Sequence, residues 1–127
     1  MNKRLSGLEQ LESLANDESL KVDGWDSYGA KALQPTIKEK VGEVLSMLDL
    51  AGSSAQVVPT NTGGFQLEWN YGDSGVEVEF SPSEEGINAT IYQEVNGEMR
   101  LERTVNADSI NVDEIRGLLA EVMPASS

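Results

Sequence analysis

Apolar residues near the start of the chain recur every three or four positions, and this spacing predicts amphipathic helices. The first helix is predicted from about residue 4 to 16, on a stripe of Leu5, Leu8, Leu11, Leu14 and Ala15. The second is predicted from Pro35 to about Leu50, on a stripe of Ile37, Val41, Val44, Leu45 and Leu48. Pro35 suits the first helical position, because an N–H there would have no partner within the helix.

Between residues 56 and 105 the apolar period changes to two, which predicts antiparallel strands. A two-residue type II′ turn at Gly72-Asp73 would bring every apolar residue of the flanking strands to one face. The same register places Glu68 directly opposite Glu77 on the other face. The apolar residues concerned are Phe65, Leu67, Trp69, Val76, Val78 and Phe80.

A second hairpin is predicted around Asn96-Gly97. A two-residue turn there would pair Ile91 with Glu102 and mix apolar and charged residues on one face. We therefore expect a three-residue loop over residues 95–97, with Gly97 in the left-handed conformation. This register pairs Ile91 with Leu101.

A last helix is predicted over residues 111–123, with Asn111 as its N-cap and Glu114 returning a capping bond. Residues 124–127 form a tail. The chain has no internal repeat and no linker long enough to separate domains. It is predicted to be one α+β domain over residues 1–127, a two-layer sandwich of four or five antiparallel strands (56–105) covered on one face by the helices.

The composition excludes several classes of chemistry. The 127 residues include no Cys and no His, which excludes disulfides, cysteine or histidine metal sites, and Ser-His or Cys-His catalysis. No cofactor, metal site or catalytic residue is predicted. Polar residues follow the basic start at once and no stretch approaches about 18 apolar residues, so a soluble cytoplasmic protein is expected.

The charge is strongly negative, with 22 acidic residues against 9 basic ones and a net charge of −13. Such a field repels nucleic acid and anionic lipid and attracts basic surfaces. Residues 64–105 contain nine acidic and two basic residues, so more than half of the excess charge belongs to the predicted sheet. The uncovered sheet face is therefore predicted to be acidic and to bind a basic protein, with no direct binding to nucleic acid or membranes.

The candidate partner-binding residues on the sheet are Glu68, Glu77, Glu79, Glu94, Glu98 and Glu102. Like charges directly opposite each other destabilise a sheet by a few tenths to about 1 kcal/mol, so the pairing of Glu68 with Glu77 points to a role outside folding. Carboxylates two residues apart on a strand lie about 7 Å apart, which is of the order of the phosphate spacing in nucleic acids. The alternative is a solvated face whose charges discourage aggregation at the sheet edges.

The loop of residues 23–30 carries two large aromatic residues, Trp25 and Tyr28, among Gly and Asp residues. One interpretation is that both rings fill the gap between the helices and the sheet. The other is that they are aromatic anchors at the rim of a binding surface. The sequence leaves both open.

Two motifs stand out: W-D-x-x-G-A at residues 25–30 and P-T-x-x-G-G-x-x-L-E-W at residues 59–69. With the strand at residues 76–80, they resemble a group of small, functionally uncharacterised bacterial proteins associated with mobile elements and phage genes. The resemblance covers roughly residues 23–81 and implies no catalytic residue. The positions that define the group are Trp25, Gly29, Gly64, Glu68 and Trp69.

Three functions follow as hypotheses. The first is a non-enzymatic acidic protein that binds and inhibits a basic nucleic-acid-handling protein, with nucleic-acid mimicry as one mode of binding; it would act as an anti-defence inhibitor of phage or mobile-element origin such as an anti-CRISPR, or as an antitoxin. The second is an accessory or chaperone-like domain that forms a salt-insensitive dimer through a strand edge or the Trp25 loop. The third is an enzyme that uses Glu68 and Glu77 as a carboxylate pair, for which an open sheet offers no deep apolar cleft to raise one pKa.

Overall fold

The computed structural model describes residues 7–15, 35–48, 55–60, 62–84 and 86–122. These residues form an α+β fold with one five-stranded antiparallel sheet and three α-helices, which confirms the predicted fold class. The helices are α1 (Gly7–Ala15), α2 (Pro35–Leu48) and α3 (Val112–Val122). The strands are β1 (Gln56–Pro59), β2 (Phe65–Tyr71), β3 (Ser74–Ser83), β4 (Gly86–Val95) and β5 (Glu98–Asn106), and a 3₁₀ turn at Ala107–Ser109 leads into α3. The predicted loop with Trp25 and Tyr28 lies outside the described residues.

The five strands lie in the sheet in their chain order, so each pairs with its neighbour in sequence. One face of the sheet carries the apolar residues, and the three helices pack against it. The helices contribute Leu11, Ile37, Val41, Val44, Leu45, Ile115, Leu119 and Val122 to the core, and the strands contribute Val57, Phe65, Leu67, Trp69, Val76, Val78, Phe80, Ala89 and Ile91. None of the helices in the described part of the chain is both long and apolar enough to cross a membrane.

The hairpin of β2 and β3 has the predicted register. Trp69 pairs with Val76 and Glu68 pairs with Glu77. Gly72 has a positive φ of 68° and Asp73 does not, which is the pattern that a type II′ turn requires. All six alternating apolar side chains are buried on the helix side.

The predicted loop of the second hairpin is wrong. Asn96 and Gly97 form a two-residue turn with φ values of 53° and 83°, the type I′ geometry that Asn-Gly favours. The register then shifts between Gln93 and Glu94, because Arg100 is the extra residue of a bulge in β5. Beyond this bulge, apolar residues of β5 again lie on the helix side. Ile91 therefore pairs with Arg103 and not with Leu101.

Arg103 lies on the helix side of the edge strand β5, where its guanidinium forms an ion pair with Glu114 of α3. This ion pair explains how a charged residue is tolerated opposite Ile91. It also means that the carboxylate of Glu114 binds Arg103 where the sequence predicted a return bond to the N-cap. The other half of that prediction is confirmed, since Asn111 Oδ1 accepts hydrogen bonds from the N–H groups of Asp113 and Glu114.

The first edge of the sheet, strand β1, is closed by a side chain. The amide of Gln10 on α1 donates to Ala55 O at 2.9 Å and accepts from Val57 N–H at 2.9 Å. These are the two bonds that the N–H and C=O of one residue in an adjoining parallel strand would make. The next backbone position that faces the same way is Pro59, which has no N–H. Strand β1 is therefore blocked against pairing with another strand, whereas the outer edge of the nine-residue β5 pairs with no other strand of the described residues.

We expect Gln10→Ala to lower the free energy of unfolding by about 1–3 kcal/mol, because the N–H of the buried Val57 loses its partner. Ser13→Ala is the matched control, since Ser13 is exposed on the same helix and its replacement leaves β1 untouched. Chemical denaturation of both variants measures the difference. Equal free energies of unfolding for the two variants would show that the Gln10 amide does not stabilise strand β1.

Candidate protein-binding face

Five of the six predicted glutamates lie on the sheet face opposite the described helices. The register aligns them in rows across the strands. One row runs Gln56, Glu68, Glu77, Tyr92, Glu102, the next runs Val58, Gln66, Glu79, Thr90, Thr104, and the one on the other side runs Asn70, Gly75, Glu94, Met99. We call this surface the acidic face and define it by Glu68, Glu77, Glu79, Glu94 and Glu102.

Side chains directly opposite each other on neighbouring strands have Cβ atoms about 5 Å apart, so Glu68 and Glu77 lie close enough to repel. Tyr92 separates Glu77 from Glu102 in the same row. Glu68 accepts a hydrogen bond of 3.1 Å from the Gln66 amide. The acidic face therefore combines closely spaced carboxylates with one central aromatic ring.

Most of the described basic residues form ion pairs away from the acidic face. Of the five Lys and Arg residues in the described ranges, four form ion pairs with acidic residues of the helices and the 3₁₀ turn: Lys38 with Glu12, Lys40 with Glu43 and Asp108, Arg103 with Glu114, and Arg116 with Asp113. The fifth, Arg100, is the exposed bulge residue of β5. No ion pair from the described residues reaches the five carboxylates of the acidic face.

Glu98 does not belong to the acidic face. It pairs with Val95, whose side chain packs against the core on the helix side. The bulge is responsible, because one extra residue in β5 reverses the side to which the preceding residues point. The other two predicted contacts, Trp25 and Tyr28, lie in the part of the chain that the structure does not describe.

Glu77 carries the clearest electrostatic perturbation of the acidic face. Partial burial raises the pKa of Glu77 above its ordinary value, and repulsion from Glu68, Glu94 and Glu79 raises this pKa further. The pKa of the Tyr92 hydroxyl is raised as well, first by burial and then by the carboxylates around it. Tyr92 therefore stays protonated and can donate a hydrogen bond at neutral pH.

We expect Glu77→Gln to raise the free energy of unfolding near pH 7 by a few tenths to about 1 kcal/mol, the usual cost of a like-charge cross-strand pair. A carboxyl whose pKa is raised by folding binds its proton more tightly in the folded protein. Its contribution to stability is therefore complete below the unfolded value of about 4.3 and is lost as pH rises through the folded pKa.

Thermal unfolding of the wild type and of Glu77→Gln, at pH 7 and near pH 4, measures this effect. The stabilisation should fade at the lower pH, because the raised pKa lets a larger fraction of Glu77 carry its proton there. Glu84→Gln, at an exposed turn position between β3 and β4, is the control and should change stability little at either pH. A gain for Glu77→Gln that is independent of pH would contradict the electrostatic explanation.

A depression of about 80 Å³ opens on the acidic face beside the turn that joins β2 to β3. It lies where a row of outward side chains is interrupted by Gly75, which stands between Asn70 and Glu94. We call it the Gly75 pocket. It is lined by Asn70, Gly72, Asp73, Ser74, Gly75, Glu77, Tyr92, Glu94 and Met99. Within the described residues, no group of acidic side chains has the arrangement of a metal site.

The P-T-x-x-G-G segment, which carries part of the resemblance, runs from the end of β1 towards β2, and its described residues explain three of its positions. The Thr60 hydroxyl accepts a hydrogen bond of 3.1 Å from Gly64 N–H, and Gly63 has a φ of 89°. A Cβ on Gly64 would lie 1.8 Å from the carbonyl oxygen of Phe80. The structure of this segment therefore explains Thr60, Gly63 and Gly64. Glu68, in the following strand, is instead a surface residue of the acidic face.

Comparison with models of protein families, with curated proteins and with solved structures gave no significant match. The resemblance to the mobile-element group thus rests on the two sequence motifs alone.

Proposed function

We propose that this chain is a non-enzymatic acidic interaction protein, which binds a basic nucleic-acid-handling protein through the acidic face and inhibits it. In the cell it would act as an anti-defence inhibitor of phage or mobile-element origin, such as an anti-CRISPR, or as an antitoxin. The single observation that supports this most is the distribution of ion pairs. Four of the described basic residues are paired on the helical side of the molecule, and no described basic residue forms an ion pair with the five carboxylates of the acidic face.

The spacing of these carboxylates supports the choice of partner. Glu68 and Glu77 lie opposite each other on neighbouring strands, about 5 Å apart, and Glu77 and Glu79 lie about 7 Å apart along β3, so the acidic face presents closely spaced negative charges. A protein that binds nucleic acid has a complementary array of Lys and Arg side chains. Occupation of that array by the acidic face would exclude the nucleic acid by direct competition.

Affinity capture with the tagged chain tests the proposal. A bacterial lysate is incubated with the protein at low salt and at about 0.5 M salt, where the Debye length falls to about 4 Å, and bound proteins are identified by mass spectrometry. We expect a nucleic-acid-binding protein that is captured at low salt and released at high salt. Once purified, this protein should lose its nucleic acid when the chain is added, whereas simultaneous binding of both would contradict competition.

A second candidate function, self-association, is favoured by the open edge of β5. Seven of its nine residues are exposed, and Met99 is 57% exposed, although the inward-facing Arg103 and the bulge are features that often limit pairing at an edge. This function predicts a mass of twice 13.7 kDa in sedimentation at low and at about 0.5 M salt. A monomer under both conditions would contradict it.

A further inference from the structure

We propose that the Gly75 pocket is an arginine site: it binds the guanidinium group of an arginine side chain on the partner protein. The pocket lies within the acidic face, so this role rests on the proposed function and specifies the partner's chemistry. Its volume of about 80 Å³ has room for several water molecules or for one small planar cation.

The pocket exists because the sheet lacks one side chain. Gly75 lies in the outward-facing row between Asn70 and Glu94, so the two neighbouring side chains stand on either side of a gap. Gly72 and Asp73, in the turn that joins β2 to β3, line one end. The gap cannot be filled by a larger residue, since a Cβ on Gly75 would lie 2.6 Å from the carbonyl oxygen of Trp69.

The lining offers hydrogen-bond acceptors on several sides. The carboxylates of Asp73, Glu77 and Glu94 and the amide of Asn70 surround the gap. A guanidinium group has five N–H donors in a planar fork and no acceptor, so it can bind two of these carboxylates at once. Such charge-assisted bonds are about twice as strong as neutral ones.

The remaining walls distinguish arginine from lysine. Tyr92 and Met99 line the pocket beside the carboxylates and offer an aromatic ring and a polarisable thioether. Arginine stacks on aromatic faces and is more weakly hydrated than the ammonium of lysine. Lysine would gain the attraction of the carboxylates and little from these walls. The pocket therefore selects the planar cation, beyond the general attraction of the acidic face for positive charge.

Two peptides test the proposal directly. They have the same length and the same Gly and Ser spacers, and differ only in carrying arginine or lysine at every basic position. We expect the wild-type protein to bind the arginine peptide about fivefold more tightly in calorimetric titration. In an NMR titration the largest amide shifts caused by the arginine peptide should lie at Asn70, Ser74, Gly75 and Glu94.

Variants then show which residues cause the preference for the arginine peptide. Tyr92→Leu and Glu94→Gln should each reduce the ratio of the two affinities to near one, while Tyr92→Phe keeps the ring and should keep the ratio. Glu98→Gln is the matched control for Glu94→Gln, because it removes the same charge near the same turn but on the helix side of β5, and it should also keep the ratio. Circular dichroism checks that each variant is folded.

The outcomes separate this proposal from the function on which it rests. Equal affinities of the wild type for both peptides, or a preference that persists in Tyr92→Leu, would overturn the arginine site and leave the acidic face as a general binder of positive charge. If neither peptide binds, the arginine site is refuted, and the proposed function is decided separately by the capture of a salt-sensitive partner from lysate.

Discussion

Replacement of Glu68, Glu77 and Glu79 by lysine is expected to abolish binding of the basic partner while the protein stays folded. All three side chains point out of the sheet on the side away from the described helices, so their replacement removes no core contact. The stability should change little, because a repulsive Glu pair at positions 68 and 77 is exchanged for a repulsive Lys pair. Loss of one partner of a close interfacial charge pair weakens binding by about 2–5 kcal/mol, so reversal of three charges should reduce affinity by at least about a hundredfold.

The control for this triple variant is a second one, Glu39→Lys, Glu43→Lys and Glu84→Lys, in which the same number of exposed glutamates is reversed away from the acidic face. Both variants raise the net charge by the same amount. If binding depends on the acidic face, the control should retain most of the wild-type affinity. Equal losses in the two variants would mean that net charge alone attracts the partner, and an unchanged affinity in the first variant would refute the proposed function.

The second large effect is expected at Gly64. A Cβ there would lie 1.8 Å from the carbonyl oxygen and 2.9 Å from the carbonyl carbon of Phe80, and both atoms belong to the paired backbone of β3. The strand cannot retreat without disturbing the buried Phe80 ring. We expect Gly64→Ala to lower the free energy of unfolding by about 3–4 kcal/mol, which is a large part of the stability of a typical domain.

Gly117→Ala is the matched control for this substitution. Gly117 lies in α3 with no atom within 4 Å of the position of an added Cβ, so alanine there should stabilise the protein by about 0.5–1 kcal/mol through its higher helix propensity. Denaturant titration compares both variants with the wild type, and NMR spectra reveal whether Gly64→Ala folds at all. A loss below about 1 kcal/mol at Gly64 would mean that the β1–β2 turn can relax around the new methyl group.

Local sequence patterns were sufficient to predict the register of the hairpin formed by β2 and β3. Only one register of β2 against β3 buries all the alternating apolar residues, and a Gly-Asp turn of two residues permits that register. The second hairpin was harder, because an extra residue can be placed in the loop or in the strand, and both choices keep the apolar residues together. The Asn-Gly pair prefers the tight turn, and the bulge at Arg100 then corrects the alternation.

The error in the second hairpin had one consequence for the candidate site. It placed Glu98 with the other glutamates, whereas the tight turn puts it opposite Val95 on the helix side. The acidic character of the remaining face followed from alternation alone, since Glu68, Glu77 and Glu79 occupy the positions between buried residues. The role of Arg103 was not predictable, because its partner Glu114 lies in another element.

Contacts between residues far apart in the sequence could not be predicted, because they leave no local sequence pattern. The Gly75 pocket depends on the registers of three strands, and a lone glycine in a strand does not reveal which side chains flank it. Gln93 is buried on the apolar side of β4, and nothing in the sequence indicates that its amide donates to Leu118 O and to the carboxylate of Glu121. The two hydrogen bonds of the Gln10 amide, which we call the Gln10 clamp, bind Ala55 and Val57, which are 45 and 47 positions away in the sequence.

That clamp has a consequence for the order of folding. Strands β2 to β5 pair through short turns between neighbours in sequence, and such local loops close quickly. The bonds from Gln10 to β1 must instead close a much longer loop, whose entropic cost is greater, so α1 is expected to dock after the hairpins have formed. During that interval β1 still offers the Val57 N–H to any other extended chain. We therefore expect the fraction of newly synthesised protein that aggregates to depend on how fast α1 docks on β1.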